Sequence, residues 1–314
     1  MRILVTGATG FIGSHLMDKL SGLGHKVIGM GRTERHVATH ATYHYVDLRD
    51  FEKASKIIRD FKPEIVFHLA ANSIESSGEH SPIDMTTNNY NTFFTTLAAS
   101  IQGGSLKKFI FTSSAAVYGN IRTPYMENQN PQPNDLYAIA KYANELSLLV
   151  MARTYGFSYV ILRLHNVTGP RQDPTDPRRN VVTMFMQLLR LGKKPKIFGD
   201  GTSQRCYTYV DDVVAALHQS LDVNNVICNV GSDTSTTIQN LYNEIVAVSG
   251  ISIEPDYEPG RDNEVELNTV DHVVSKQIYN IQSTPFADVI RKTWEWVNKQ
   301  PLNNFKSFIK EIDL

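Results

Sequence analysis

The stretch RILVTGATGFIG, residues 2–13, joins a short apolar run to a turn that contains three glycines. The run has the aliphatic character of a buried strand. Gly7, Gly10 and Gly13 then permit a tight turn, in which backbone N–H groups at the start of a helix can approach a pyrophosphate. The stretch therefore predicts a strand, a phosphate-binding loop and a helix in direct succession.

Similar strand and helix patterns alternate through the first half of the chain. Strand-like runs lie at 2–6, 26–30, 64–69, 107–112 and 158–164, and helical patterns lie at 11–23, 51–61, 88–101 and 137–155. The runs are almost continuously apolar, as expected when helices cover both faces of a parallel sheet. We expect an α/β fold with a doubly wound parallel sheet of the Rossmann type, in which ligands bind beyond the carboxyl ends of the strands.

The alternation weakens in the second half of the chain, where a loop rich in Pro, Arg and Asp spans residues 169–180. Short strand patterns and glycine-rich turns follow it. The pattern predicts a dinucleotide-binding domain at 1–165, with a later contribution from about 205–222. The rest, mainly 166–314, is predicted to be a smaller, interleaved C-terminal substrate lobe.

Composition narrows the class of protein. The 314 residues carry a net charge of -1 and include only two cysteines, Cys206 and Cys228. A nearly neutral chain with mixed charges has no long-range field to recruit nucleic acid or an anionic membrane. Two cysteines make no disulfide framework and no metal-ligand pattern, and no apolar run reaches the ~20 residues of a membrane span. We expect a cytoplasmic protein that binds neither nucleic acid nor membrane, and no metal site.

Arg32 bears on the choice of dinucleotide. It follows the second strand, in the sequence Met30-Gly31-Arg32-Thr33, where an acidic residue commonly holds the ribose hydroxyls of NAD. A guanidinium there suits a 2′-phosphate instead. The expected cofactor is therefore NAD(P), with Arg32 favouring NADP; the alternative interpretation of Arg32 is a solvated loop charge.

Tyr137 and Lys141 form a candidate catalytic pair. They lie four residues apart in a predicted helix that Asn134 and Asp135 introduce, so both side chains lie on one helix face. A free phenol ionises only near pH ~10, and a neighbouring ammonium stabilises the phenolate. Alone, this spacing is more typical of an ordinary amphipathic helix. The preceding strand, however, ends in hydroxyl residues, FTSSAAVYG at 111–119, where ligands bind to a parallel sheet, and this context favours the catalytic interpretation.

These motifs resemble the extended short-chain dehydrogenase/reductases, and specifically their NAD(P)-dependent sugar-nucleotide epimerase/dehydratase family, from residue 1 to about residue 296. A later stretch, from Ile197 to Asp212, is similar to the substrate lobe of that family. The resemblance implies a catalytic trio of Ser114, Tyr137 and Lys141. With the glycine loop and Arg32, it implies cofactor binding by Gly7, Gly10, Phe11, Ile12, Gly13, Arg32, Asp47, Leu48, Leu69, Ala70, Ala71, Asn89, Thr112, Tyr137 and Lys141. It implies substrate binding by Ser114, Asn166, Arg205 and Arg261.

The same resemblance distinguishes between reactions. Dehydratases of this family carry Asp and Glu directly after the catalytic hydroxyl, and decarboxylases keep a carboxylate at the second position, whereas this chain has Ala115 and Ala116. We therefore expect a nucleotide-sugar 4-epimerase that acts through a transient 4-keto sugar. The alternatives are an NADPH-dependent 4-keto sugar-nucleotide reductase and a non-catalytic dinucleotide-binding regulator.

The resemblance further implies a homodimer, paired through the helical segments around 91–101 and 137–155. Three features depart from the family pattern: Gly31-Arg32 in place of an acidic residue, His165 where an aromatic residue is usual, and Cys206 where Asp is common. His165 receives no functional role from the sequence, because a lone His at a strand end is more often structural.

Overall fold

The computed structural model of the protein describes residues 1–34, 38, 41–73, 81–174, 180–260 and 267–301. Its centre is a seven-stranded sheet in which all neighbouring strands are parallel. The strands of this sheet are β1 (Arg2–Thr6), β2 (Lys26–Gly31), β3 (Thr42–Tyr45), β4 (Ile65–His68), β5 (Lys108–Ser114), β6 (Ser158–Leu164) and β11 (Val226–Val230). The predicted doubly wound parallel sheet is confirmed.

The strand order is β11-β6-β5-β4-β1-β2-β3. The chain builds outward from β1 to β3 and then returns to the other side of β1 to add β4, β5 and β6. Connections on the two sides of β1 therefore run in opposite directions. This topology opens a crevice at the carboxyl ends of β1 and β4, where a ligand can bind.

Helices cover both faces of the sheet. The helices are α1 (Phe11–Ser21), α2 (Phe51–Phe61), α3 (Pro82–Thr86), α4 (Thr92–Gln102), α5 (Leu136–Tyr155), α6 (Val181–Arg190), α7 (Val210–Gln219), α8 (Ile238–Ser249), α9 (Val273–Ile278) and α10 (Phe286–Asn298), of which α6, α8 and α10 pack mainly in the second lobe described below. Side chains alternate along β1, so that Ile3 and Val5 pack with Leu16 of α1 while Leu4 packs with Phe93 of α4. The sheet thus separates two apolar cores, which fixes the strand ends rigidly.

Local sequence signals set the ends of α5, which carries the predicted catalytic pair. The Asp135 carboxylate accepts a hydrogen bond from the Ala138 N–H at 2.8 Å and caps the first turn. Gly156 ends the helix in the left-handed conformation, with φ of 73°, and its N–H bonds to the Ala152 carbonyl. An acidic N-cap and a glycine C-cap are the expected helix boundaries.

A second lobe packs around its own apolar core, which includes Phe185 of α6, Leu241 of α8 and Trp294 of α10. Its short strands are β7 (Val167–Thr168), β8 (Lys196–Phe198), β9 (Gln204–Cys206), β10 (Thr208–Tyr209), β12 (Ser235–Thr237), β13 (Asp256–Glu258) and β14 (Leu267–Asn268). The chain returns to the main sheet for β11, beyond the predicted contribution from about 205–222. The domain boundaries themselves stay a prediction.

A helix that spans a membrane must be both long and apolar. No helix in the described part of the chain combines the length and apolar character needed to cross a bilayer. Within the same residues, no group of three or more His, Cys, Asp or Glu side chains lies together as metal ligands would. Cys206 and Cys228 are both free thiols and both buried.

Candidate active site

A cleft of about 1410 Å³ runs along the carboxyl edge of the sheet. Most of the residues predicted to bind cofactor or substrate line it together: Gly7, Gly10, Phe11, Ile12, Gly13, Arg32, Asp47, Leu48, Leu69, Ala70, Ala71, Thr112, Ser114, Tyr137, Lys141 and Asn166. A typical small-molecule pocket has ~300–1,000 Å³. The cleft is therefore large enough to hold two extended ligands at once.

The glycine loop has no room for side chains. Gly7 has φ of 68°, and a Cβ there would lie 2.8 Å from the backbone of Leu69 and Ala70. A Cβ on Gly13 would lie 2.1 Å from the Gly7 carbonyl oxygen, far inside van der Waals contact. The loop can close this tightly only because both positions are glycine.

The first turn of α1 is open to an anion. Gly10 occupies the N-cap without any side-chain cap, and the first turn contains no acidic residue. The first N–H groups of a helix have no partner inside the helix, and together with the helix dipole they favour negative charge. The glycine cradle and this helix start therefore fit the pyrophosphate of a dinucleotide.

At the end of β2 the cleft is lined by Gly31, Arg32 and Thr33. A Cβ on Gly31 would lie 2.6 Å from the Thr9 hydroxyl oxygen, so an acidic side chain could enter only if Thr9 moved. Nearby, the Asp47 carboxylate holds Arg49 in a bidentate ion pair, with Nη2 to Oδ2 at 2.6 Å. Hydrogen bonds from Arg49 keep the pKa of Asp47 low, although burial opposes this. Arg32 is exposed and lines this wall of the cleft.

The carboxyl end of β5 contributes hydroxyl groups. Thr112 is buried and donates through Oγ1 to the His68 carbonyl at 3.1 Å, which ties β5 to β4. Ser114 is the last residue of β5, and its hydroxyl accepts the Ala116 N–H at 3.1 Å, capping a 3₁₀ helix over Ala115–Tyr118. Among the described residues this hydroxyl has no acceptor for its own proton, which can therefore be donated to a ligand in the cleft.

Tyr137 and Lys141 reach the same cleft from the first two turns of α5. Both are nearly buried, with 7% and 4% of their surfaces exposed. The Lys141 Nζ donates to the Thr112 carbonyl at 2.8 Å and lies 5.7 Å from the centre of the Tyr137 ring. Burial lowers the pKa of Lys141 to about 7, while the charge of Glu145 acts in the opposite direction.

His165 and Asn166 lie at the end of β6. His165 is buried, and its Nε2 lies 2.7 Å from Oδ1 of Asn268, which lines the cleft from the second lobe. Burial lowers the pKa of His165 to about 4, so the ring is neutral near pH 7. The other ring nitrogen, Nδ1, has no hydrogen-bond partner within the part of the chain that the structure describes. Asn166 has φ of 39°, is exposed and lines the cleft.

Two predicted residues in the described part of the chain, Asn89 and Arg205, do not line the cleft. Asn89 is buried, and its side chain brackets Asn72, accepting the Asn72 N–H at 2.8 Å and donating to the Asn72 carbonyl at 3.0 Å. Arg205 lies on β9 in register with Asn268, one position away from the cleft wall. Arg261 lies outside the described residues.

Other cleft residues had received no assignment as ligand contacts from the sequence. They include Asn120, Asn134, Arg171, Gln172, Asn180 and Asn268. Asn180 had a usable signal, because its side chain caps α6 by accepting the Val182 N–H at 2.8 Å. Asn268 had none, since β14 reaches the cleft only by pairing with β9.

The parallel sheet, the glycine cradle at its switch point and the large cleft beside it together define a dinucleotide-binding α/β protein. Residues 3–231 match the model of the NAD dependent epimerase/dehydratase family. The chain belongs to this family of NAD-dependent sugar-nucleotide enzymes. The resemblance found in the sequence is therefore confirmed.

Particular relatives are similar over nearly the full length. The UDP-glucose 4-epimerase of Mycolicibacterium smegmatis is 35% identical, with 94% of this chain and 98% of the relative covered. The solved UDP-glucose 4-epimerase of Thermotoga maritima with UDP-glucose has a TM-score of 0.89 at 34% identity, covering 95% and 99%. The Thermus thermophilus UDP-glucose 4-epimerase in complex with NAD has a TM-score of 0.87 at 29% identity, covering 96% and 100%.

Proposed function

We propose that this chain is a nucleotide-sugar 4-epimerase that inverts one carbon of a UDP-hexose through a transient 4-keto sugar. One observation carries the proposal: Ser114, Tyr137 and Lys141 line a single cleft together with the glycine cradle. The similarity to UDP-glucose 4-epimerases supports the choice of substrate class. The resulting cofactor requirement is NAD or NADP.

In this proposal Tyr137 is the general base that accepts the proton of the sugar 4-hydroxyl. The Lys141 ammonium, 5.7 Å from the ring centre, stabilises the phenolate. Ser114 donates its free hydroxyl proton to the sugar oxygen and holds it beside Tyr137. A bound nicotinamide would supply the hydride acceptor and donor that oxidation and re-reduction at C4 require.

Proton and hydride are both restored within one cycle. Tyr137 would return its proton to the 4-oxygen when C4 is reduced again, so the product would differ from the substrate only in configuration. Because the sugar must present its other face, binding should concentrate on the nucleotide and diphosphate. We assign that anchoring to Asn166, Arg205 and Arg261, cationic or amide side chains suited to a diphosphate.

Ala115 and Ala116 support simple redox chemistry over elimination of water. Both follow Ser114 in the 3₁₀ helix, and both line the cleft. Elimination needs an acid and a base beside the sugar, and methyl groups provide neither. Dehydration and decarboxylation are therefore disfavoured at this site.

A second candidate function is an NADPH-dependent 4-keto sugar-nucleotide reductase. Gly31 and Arg32 favour it, because a glycine and a guanidinium stand where an acidic clamp would hold NAD. They also support NADP over NAD in the epimerase proposal. A reductase uses the same trio but must exchange its cofactor in every turnover.

We also propose a homodimer that pairs through α5. Ile139, Leu146 and Val150 lie on one face of this helix with 48%, 48% and 51% of their surfaces exposed. Their spacing of seven and four residues forms an apolar stripe. Such a stripe suits a two-fold symmetric helix contact.

One experiment separates the two activities. The protein is purified without added cofactor, denatured, and the released dinucleotide identified by mass spectrometry. The native protein is then given UDP-glucose or UDP-galactose deuterated at C4, again without added cofactor. Epimerised product that keeps deuterium at C4 supports the epimerase. A protein that is purified without bound dinucleotide and consumes one NADPH for each 4-keto sugar supports the reductase. If neither activity is found with any UDP-hexose, both proposed functions are overturned.

A further inference from the structure

Behind the cleft, α5 and β6 contribute a fully buried ion pair. Glu145 and Arg163 are 1% and 3% exposed, and neither lines the cleft. Arg163 Nη2 lies 2.7 Å from Glu145 Oε2, and Arg163 Nε lies 3.1 Å from Oε1. Replacing a buried ion pair by apolar residues is often neutral or stabilising. Stability alone therefore does not explain why this pair is present.

The carboxylate of Glu145 also joins the pair to the strand end that carries Ser114. The Ser113 hydroxyl donates to Glu145 Oε1 at 2.5 Å. Ser113 directly precedes Ser114, and in a strand successive side chains point to opposite faces. A fixed Ser113 side chain thus sets the backbone from which the Ser114 hydroxyl projects into the cleft.

The guanidinium of Arg163 extends the network to the 3₁₀ helix that follows. Its Nη1 donates to the Tyr118 hydroxyl at 2.9 Å, and that hydroxyl donates to Oδ1 of Asn229 at 2.9 Å. Asn229 in turn donates to the Tyr125 and Asp271 carbonyls. These bonds join α5, β6, β11 and the 3₁₀ helix in one buried polar network, and such networks make a core more rigid.

On α5, Glu145 follows Lys141 by four residues and Tyr137 by eight, so all three lie on one face of the helix. Ser114 reaches the cleft from β5. Glu145 therefore ties α5, which carries the proposed base Tyr137, to β5, which carries the Ser114 hydroxyl.

Glu145 is also the negative charge that acts on Lys141, raising a pKa that burial lowers. Around the amine, α5 presents Tyr137 and Glu145, and β4 presents the neutral His68. β6 and the 3₁₀ helix present Arg163 and Tyr118, which bond to each other behind Glu145. The neighbouring segment 82–91 carries Tyr90 and the exposed Asp84, and the charge of Asp84 acts on Arg49.

We propose that Glu145 is a positioning residue of the active site: held by Arg163, it fixes the strand end of Ser114 against the helix of Tyr137 and Lys141 and provides the compensating charge for the Lys141 ammonium. The proposal rests on the proposed function, because the trio is what Glu145 positions.

The test is the substitution Glu145→Gln, which removes the negative charge of the side chain and keeps its size and shape. The titration of Lys141 is followed by NMR of lysine labelled with ¹³C at Cε, with its signal assigned by its loss in Lys141→Met. We expect the titration midpoint to fall below that of the wild type. An unchanged midpoint in a folded variant overturns the charge role. Glu52→Gln, an exposed carboxylate on α2, is the matched control and should leave the midpoint unchanged.

Turnover gives the second readout. Glu145→Gln should lower kcat by roughly 10- to 100-fold, since small misplacements of catalytic groups cost up to ~10², while KM for the UDP-sugar stays close to wild type. A rise in KM with unchanged kcat would overturn the positioning role. If no UDP-sugar is turned over by the wild type, the proposed function fails, whereas the Lys141 titration still decides the role of Glu145.

Ser113→Ala covers the case in which Glu145→Gln does not fold, because it removes one hydrogen bond and leaves the ion pair. Its loss of kcat should disappear in a Ser114→Ala background, since Ser113 acts through Ser114. A loss of the same factor in both backgrounds would mean a general structural effect and overturn the proposal.

Discussion

The Lys141 amine donates to the backbone carbonyl of Thr112 across 2.8 Å, which ties α5 to β5 beside the cleft. The same amine lies 4.9 Å from the centre of the Phe111 ring. A carbonyl and an aromatic face both favour a positive charge, although burial disfavours it. Lys141 is thus held with a pKa close to neutrality, and its protonation state is sensitive to its surroundings.

Lys141→Met should stabilise the cofactor-free protein, and the gain should depend on pH. The pKa of Lys141 is about 7 in the folded chain and ~10.4 in an unfolded one, so between these values the unfolded state binds more protons. Stability of the wild type therefore rises with pH over this window, and the cost of burying the charge is complete below pH 7. Methionine carries no charge, so the free energy of unfolding should rise by about 1–3 kcal/mol after the lost hydrogen bond is counted.

Urea unfolding of both proteins between pH 6 and ~10 measures this difference. The gain in the free energy of unfolding should shrink as the pH rises towards ~10. Lys56→Met, in an exposed pair with Asp60, is the control and should change stability by less than ~0.5 kcal/mol at every pH. A pH-independent gain would show that Lys141 titrates normally in the folded state.

Gly13→Ala should destabilise the protein and weaken dinucleotide binding together. The new Cβ would meet the Gly7 carbonyl at 2.1 Å, so α1 must move away from the loop. Overpacking against backbone costs about 1–3 kcal/mol or more. Gly22→Ala, at the end of the same helix with nothing within 4 Å of the new Cβ, should be nearly neutral. Thermal unfolding and dinucleotide titration of the two variants make the comparison, and equal behaviour would contradict it.

The helices and inner strands could be predicted because their signals are local. The predicted helix at 51–61 coincides with α2, whose apolar spacing follows the Asp50 cap. β3 was missed, since Thr42–Tyr45 is a partly exposed edge strand without an apolar run. β11 is apolar, but its place in the sheet depends on pairing with β6, far away in sequence. Local patterns carry no information about such partners.

The candidate site divides in the same way. The glycine loop, Tyr137 and Lys141 could be found because their spacing expresses one turn or one helix face. Asn268 reaches the cleft only through the pairing of β14 with β9 and its bond to His165. Asn89 was predicted to bind the cofactor, but its side-chain amide forms hydrogen bonds with the backbone of Asn72 instead of lining the cleft. Sequence spacing cannot distinguish an amide that binds a ligand from one that holds a loop.

Arg32→Ala should reduce the affinity for NADPH about tenfold or more and leave the affinity for NADH within about twofold. A charge-assisted hydrogen bond contributes about 1.5–3 kcal/mol, and 1.4 kcal/mol corresponds to tenfold. Only NADPH carries the 2′-phosphate that Arg32 would contact. Fluorescence titration with both dinucleotides measures the two constants, with Arg59→Ala as control, since Arg59 on α2 bonds to Gln102 and does not line the cleft. Unchanged NADPH binding would identify Arg32 as a solvated loop charge.

Tyr137→Phe should abolish most turnover while leaving the fold and the bound dinucleotide intact. The hydroxyl is the proposed base, and general acid–base catalysis contributes ~10²–10⁴-fold, so kcat should fall by that factor. The ring keeps its packing, because phenylalanine fills the same buried position at 7% exposure. Tyr142→Phe, one turn further along α5 and outside the cleft lining, should keep nearly full activity. Steady-state epimerisation and dinucleotide content are measured for all three proteins. Turnover of Tyr137→Phe close to wild type would assign the base to another group, whereas loss of both turnover and bound dinucleotide would show that the hydroxyl serves cofactor binding.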